Sequence, residues 1–238
     1  MDQVIVFDMD GVLAEVTESY RESIVQTVRH FTGKTIERDL IQDYKNRGGW
    51  NNDWALSQKI IADLGLDLAY ATVVEQFNVF FLGSKGDGQG LILRESWFPT
   101  PGLLERLGKR YELSIFSGRI RFEADLTLRR FAPTIRFDPT LYADELSAGK
   151  PAPDGLLEIQ RRRPESKLWY IGDTVDDARC ARAAGVPFIG VAAHTHTKRG
   201  ELIGLFEREN AIAIVENVNE IETVLSIQTI QEASCRPA

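Results

Sequence analysis

Short, nearly unbroken apolar runs mark the beginning of the chain and its second half. Val4 to Phe7 ends at Asp8, and similar runs recur at Leu113 to Phe116, Leu168 to Ile171, Pro187 to Val191 and Ile212 to Val215. Runs of this length with no polar alternation predict strands buried on both faces, as in a parallel sheet covered by helices. Helical segments fall between them. Pro101 to Arg110 places Leu103, Leu104 and Leu107 on one face, and Asp176 to Ala184 is rich in Ala and Arg and stops at Gly185. Gly200 to Glu209 and Asn217 to Ile227 read as further helices. Alternating strand and helix predict an α/β fold, a Rossmann-like and mainly parallel sheet flanked by helices.

Between about Glu15 and about Arg94 the pattern turns helical almost throughout. Glu18 to Phe31, Ile36 to Asn46, Trp54 to Leu64 and Ala69 to Leu82 are the predicted helices, and the Gly-rich stretch from Gly83 to Gly90 reads as a connection. This stretch is expected to be a helical insertion after the first strand. The division that follows is a core of residues 1–14 and 95–228, an α-helical cap over 15–94, and a polar tail over 229–238 that is a candidate disordered segment.

Charge and composition narrow the partners. The 238 residues include 28 Lys and Arg against 35 Asp and Glu, a formal charge of −7. That balance argues against a nucleic-acid partner held by phosphate contacts, although a local basic pocket remains compatible with a small anionic metabolite. No apolar stretch is long enough to span a bilayer, and the start of the chain has none of the marks of a signal peptide, so no membrane association is expected. Cys180 and Cys235 form neither a spaced metal motif nor a disulfide framework, which points to a reducing, cytoplasmic setting. Either a monomer or a homodimer is compatible with the sequence.

Four strand ends carry polar residues, and in a parallel sheet such residues meet at the carboxyl edge. Asp8 and Asp10 flank Met9 and precede Gly11. One carboxylate of such a pair can attack phosphorus and a second can move protons to and from the departing and entering oxygens. The plainer reading is an acidic loop after a strand. Ser117, Gly118 and Arg119 follow the second run and offer a hydroxyl and backbone N–H groups to a phosphoryl oxygen, or form an ordinary Ser-Gly turn. Lys150, followed by Pro151 and Pro153, could neutralise a nucleophile and phosphoryl oxygens, though solvated lysines are commoner. Asp173, Asp176 and Asp177 follow the run ending at Ile171. Oxygen ligands of this kind suit Mg²⁺, with Asp8, Asp173 and the Asp10 carbonyl as the natural set. Helix capping and dipole compensation are expected to account for at least one of the three acids.

In this order the four segments resemble the motifs of the haloacid dehalogenase superfamily: Asp8-Met9-Asp10-Gly11-Val12-Leu13, then Ser117-Gly118-Arg119, then Gly149-Lys150-Pro151, then Gly172-Asp173-Thr174-Val175-Asp176-Asp177. The insertion point is similar to that of the subgroup with a helical cap after the first motif, which includes phosphoglycolate phosphatase-like and β-phosphoglucomutase-like enzymes. The resemblance implies Asp8 as nucleophile, Asp10 as general acid and base, and Ser117, Gly118 and Lys150 around the phosphate. It also implies Mg²⁺ held by Asp8, Asp10 and Asp173, with Asp177 and Asp176 behind that site. An acid at position 10 implies a phosphatase or phosphomutase rather than a dehalogenase, because a halide leaves without a proton.

The insertion contains one unusual stretch, Arg47-Gly48-Gly49-Trp50-Asn51-Asn52-Asp53-Trp54. Arg47, Trp50 and Asn52 are candidate substrate contacts. The alternative is a helix start capped by Asn52 or Asp53, with Trp50 and Trp54 packed between helices. The run resembles a branch of the superfamily associated with histidine biosynthesis enzymes, so histidinol phosphate joins phosphoglycolate and sugar phosphates as a candidate substrate. The expected function is therefore Mg²⁺-dependent hydrolysis of a small phosphorylated metabolite through an aspartyl phosphate. The alternatives are a sugar phosphomutase using the same core residues and a non-catalytic binding protein on the same fold.

Overall fold

A computed structural model describes residues 2–196 and 198–234. The central strand is β1 (Gln3–Phe7), followed by the two-residue β2 (Ala14–Glu15). Four helices come next: α1 (Glu22–Thr32), α2 (Arg38–Arg47), α3 (Asp53–Asp63) and α4 (Tyr70–Leu82). The chain then continues through β3 (Ser96–Trp97), α5 (Leu103–Leu107), β4 (Glu112–Phe116), α6 (Arg121–Phe131), β5 (Thr140–Leu141) and α7 (Asp154–Arg162). It ends with β6 (Lys167–Gly172), α8 (Val175–Ala184), β7 (Phe188–Val191), α9 (Arg199–Arg208), β8 (Ala213–Val215) and α10 (Ile221–Ser234).

Six strands form one sheet in the order β5-β4-β1-β6-β7-β8, and every neighbouring pair is parallel. β1 lies inside it and has no exposed face, which is why its run is unbroken. Ile5 and Phe7 join the apolar layer of Leu103, Leu107 and Ile221. Val4 and Val6 join the opposite layer, with Leu156, Ala181 and Phe206. Register sets the site: Phe7 is paired with Ile115 on one side and Ile171 on the other. Asp8 is therefore level with Phe116 and Gly172, one residue ahead of Ser117 and Asp173.

β2 and β3 pair antiparallel, Ala14 with Trp97 and Glu15 with Ser96, so the insertion leaves and rejoins the core side by side. Its helices have their own apolar cluster, built from Ile24 and Val28 of α1, Ile41 of α2, Ile60 of α3 and Phe77 and Phe81 of α4. The first predicted helix divides into a π-helical turn over Thr17–Arg21 and then α1.

Several elements depart from the sequence expectation. α5 is half the predicted length, spanning Leu103–Leu107. α6, α7 and β5 were not anticipated at all. α6 buries Glu123 and Thr127 beside Ala124, so polar residues occupy core-facing positions and blur the apolar period. α10 continues to Ser234, beyond the predicted end at Ile227 and through the start of the expected tail. Residues 235–238, including Cys235, lie outside the described residues. Among the described residues no helix is long and apolar enough to cross a membrane.

Candidate active site

Asp8 emerges from β1 with its N–H donated to the Ile171 carbonyl at 2.8 Å. Its carboxylate meets Lys150, whose Nζ lies 2.7 Å from Asp8 Oδ1 and 2.7 Å from Asp177 Oδ1. The Lys150 side chain is only 1% exposed and its ammonium lies over the rings of Phe116 and Tyr170, 4.9 and 5.4 Å from their centroids. Burial works against the charge on Lys150, but Asp177 and Asp8 outweigh it and hold the ammonium protonated. Burial also opposes the charge on Asp177. There Lys150, together with hydrogen bonds from Thr174 and Tyr170, prevails and lowers its pKa. Asp8 goes the other way: burial outweighs Lys150 and pushes its carboxyl up to about 7.

Asp173 also stands beside Asp8. Burial first, and the neighbouring Asp8 second, push its pKa well above the usual carboxylate range. Asp8, Asp173 and Asp177 each offer an oxygen within 4.8 Å of the others. Lys150 holds one oxygen each of Asp177 and Asp8, and Asp173 has no ion pair with it, so the second oxygen of Asp8 and the Asp173 carboxylate are the donors left for a cation. That donor set fits a hard dication. Gly11 makes the approach possible: a Cβ there would lie 1.9 Å from Asp173 Oδ2, and its φ of +73° favours glycine in any case.

Asp10 is 30% exposed and is held by Arg119, with Nε 2.7 Å and Nη2 2.6 Å from Asp10 Oδ1. Arg119 is buried and also contacts Glu95 Oε1 at 2.8 Å and Thr127 Oγ1 at 2.7 Å, with its guanidinium over the Tyr20 ring. The Ser117 hydroxyl is buried and accepts from the Arg119 N–H at 3.2 Å. Gly118 lines the cavity above, where an added Cβ would lie 2.4 Å from Asn51 Nδ2 of the insertion. Arg119, Glu95, Thr127 and Tyr20 were not among the sequence-derived site residues. Only Arg119 lay inside a motif, and nothing linear marked its partners.

A cavity of about 70 Å³ lies between the strand ends and the helical insertion. Its floor includes Asp8, Asp10 and Asp173, and its roof includes Arg21, Lys45, Asn51, Asn52 and Trp54. Lys45 is paired with Asp53 at 2.8 Å. Of the three expected substrate contacts, Asn52 lines this cavity, though it also caps α3 by accepting from the Ala55 N–H at 2.9 Å. Arg47 and Trp50 do not line it. Arg47 is exposed with its guanidinium over Tyr44, and Trp50 packs edge-on against the same ring. Asp176 also departs from expectation: both its oxygens accept from the Gly49 N–H, at 2.9 and 2.8 Å, so it fastens the insertion to the core.

A Rossmann-like parallel sheet with this acidic and lysine-bridged edge, covered by helices, is a haloacid dehalogenase-like arrangement. The chain belongs to the haloacid dehalogenase-like hydrolases, whose family model matches residues 3–185. Over 198 residues it is 33% identical to the imidazoleglycerol-phosphate dehydratase of Phytophthora nicotianae, a match covering 79% of this chain and 43% of that protein. The chain thus spans less than half of that relative's length. It is 25% identical over 203 residues to "Probable phosphatase IndB" of Dickeya dadantii, covering 83% of this chain and 84% of that one. A haloacid dehalogenase-like hydrolase from Bacteroides fragilis superposes with a TM-score of 0.70 at 25% identity, covering 93% of this chain and 100% of that chain.

Proposed function

We propose that the protein is a Mg²⁺-dependent phosphatase that hydrolyses a small phosphorylated metabolite through an aspartyl phosphate on Asp8. The observation that carries this reading is the position of Asp8: at the end of the central strand, tied to Lys150 at 2.7 Å and facing Asp173 within the same acidic cluster. Asp8 and Asp173, with the Asp10 carbonyl, would hold the cation, which screens the repulsion between an anionic nucleophile and an anionic ester and polarises the phosphoryl group. Asp8 attacks phosphorus as the ester P–O bond breaks, and Asp10 protonates the departing alkoxide. Asp10 then takes a proton from water, which attacks phosphorus and breaks the bond to Asp8, releasing inorganic phosphate. Arg119 keeps the Asp10 carboxylate turned to this task, and Lys150, Ser117 and Gly118 receive the phosphoryl oxygens.

Phosphoglycolate, a sugar phosphate and histidinol phosphate are the candidate substrates. The name of the Phytophthora relative points to an imidazole-bearing phosphate ester, a feature that histidinol phosphate shares. Asp8→Asn is expected to lower phosphate release from any accepted ester by about 10⁴-fold or more while leaving the circular dichroism spectrum unchanged. Thorough chelation is expected to abolish turnover, and added Mg²⁺ to restore it. Full activity in Asp8→Asn contradicts the nucleophile, and turnover that survives chelation contradicts the metal. Phosphate release without any bisphosphate activator separates hydrolysis from mutase chemistry.

A further inference from the structure

Two residues that line the cavity each carry a buried polar atom that neither the phosphoryl chemistry nor an ion pair uses. Glu123, on α6, is 1% exposed and lines the cavity beside Gly118 and Arg119. Its Oε2 accepts from the Tyr20 hydroxyl at 2.5 Å, while its Oε1 is buried with no hydrogen-bond partner among the described residues. Trp54, in the first turn of α3, lines the same cavity from the roof, and its indole N–H is likewise buried without a partner. Tyr20 and Trp54 both pack against Phe77, with ring centroids 6.2 and 6.4 Å away, so a shared aromatic cluster braces the two groups.

Leaving such a group unpaired costs about 1–3 kcal/mol, and ligand sites are where a few convergent polar groups commonly stand unpaired in an otherwise closed wall. The adjoining buried network shows the contrast: Arg119, Thr127 and Glu95 are linked to one another at 2.6–2.8 Å. Glu123 Oε1 and Trp54 Nε1 therefore stand out as complementary requirements, an acceptor and a donor.

We propose that Glu123 and Trp54 form a polar subsite that reads the alcohol part of the phosphoester. That part presents a hydroxyl or amine hydrogen to Glu123 Oε1 and an oxygen or nitrogen lone pair to Trp54 Nε1–H. The substrate class is then a compact polyol, amino-alcohol or azole-alcohol phosphate. A plain alkyl phosphate offers neither group. Phosphoglycolate lacks a donor for Glu123 and adds a carboxylate beside it. The inference rests on the phosphatase reading, because the subsite shares its cavity with Asp8 and Asp10.

The test compares propyl phosphate, glycerol 1-phosphate and 3-aminopropyl phosphate on the full-length wild type, on Glu123→Gln and on Trp54→Phe, in excess Mg²⁺. The better of the two polar esters is expected to exceed propyl phosphate in kcat/KM by about 10²-fold in the wild type, since a site built to hydrogen-bond its substrate strongly rejects the analogue that cannot. Each variant is expected to shrink that ratio by about tenfold. Equal turnover of all three esters by the wild type overturns the subsite, whatever the variants do, and so does an unchanged ratio in both folded variants. para-Nitrophenyl phosphate serves as an independent reporter. Its hydrolysis alongside a flat ratio sinks the subsite alone, whereas no turnover of any ester, this one included, sinks the phosphatase reading with it.

Discussion

Glu123 is an acid whose surroundings disfavour its charge. Burial outweighs both the hydrogen bond from Tyr20 and the field of Arg119, and the carboxyl is pushed from about 4.5 up to about 7. A group raised on folding adds stability that is fully present below its unfolded pKa and disappears as pH rises through the folded value. The contribution of Glu123 therefore fades between about pH 4.5 and pH 7. Glu123→Gln keeps an acceptor for Tyr20 and removes the titration. Its stability relative to wild type is expected to improve by about 3 kcal/mol between about pH 5 and about pH 9, at about 1.4 kcal/mol per pKa unit. Urea denaturation at both pH values reads this directly, and a difference that stays constant with pH would contradict the assignment. Arg119 shows the limit of reading residues singly. Its place after Ser117 and Gly118 was plain in the sequence, but its hold on Asp10 and Glu95 depends on three distant segments meeting.

Among the elements, α8 does the most varied work. Its N-terminus is closed by Thr174, whose hydroxyl accepts from the Asp177 N–H at 3.2 Å while Asp177 Oδ2 accepts from the Thr174 N–H at 3.0 Å. The other oxygen of Asp177 holds Lys150, so one carboxylate caps a helix and fixes the site lysine. Asp176, on the same turn, grips Gly49, and Arg179, one turn on, donates to the Arg47 carbonyl at 3.3 Å. Gly48 is favoured here by its φ of +82°, and a Cβ would also displace the Arg179 guanidinium, 2.0 Å away, and crowd Asp176 Oδ1 at 2.9 Å. Hydrogen bonds to a charged acceptor contribute about 1.5–3 kcal/mol. Asp176→Ala is accordingly expected to raise amide exchange across residues 45–53 by about tenfold or more, with a severalfold rise in KM. Hydrogen-exchange mass spectrometry checks this, and unchanged protection there would show that Asp176 does not secure the insertion.

At the scale of the molecule, the core and the helical insertion each have their own apolar cluster, Trp97 and Leu126 of the core elements pack on the insertion's cluster, and several polar contacts also join the two parts. Asp43 of α2 pairs with Lys198, Gly49 with Asp176, and Tyr20 with Glu123. The cavity edge concentrates negative charge where the two parts meet, and Asp8 and Asp173 repel one another there. A ligand that binds only the folded state stabilises it by about 2.7 kcal/mol at a hundred times its Kd. For a chain of this size that corresponds to roughly 5–10 °C in Tm. Saturating Mg²⁺ is expected to raise Tm by that order, and Asp173→Asn to lose the shift while melting higher than wild type in chelator. Differential scanning fluorimetry distinguishes these outcomes, and an equal Mg²⁺ response in Asp173→Asn would remove that residue from the proposed cation site.

Five of the six strands of the sheet, and the polar residues Asp8, Ser117 and Asp173 directly after three of them, were legible in the sequence alone, whereas Lys150 follows β5 only after nine residues. Strands buried on both faces need unbroken apolar runs, and residues at their carboxyl ends converge by topology. Only the tertiary structure decided which polar residues of the insertion meet the cavity. Trp50 was expected there, yet Trp54 lines it, because the helical phase of α3 and packing on Phe77 turn the side chain, and spacing along the chain does not. Arg47 was turned outward, and Lys45 and Arg21 were brought in. α6 escaped notice because Glu123 and Thr127 occupy buried positions, where Tyr20 bonds one oxygen of Glu123 and Glu95 accepts from Thr127. Local pattern records how much of an element is covered by apolar neighbours. It carries no record of which distant polar group satisfies another, since that pairing exists only once the chain has closed on itself.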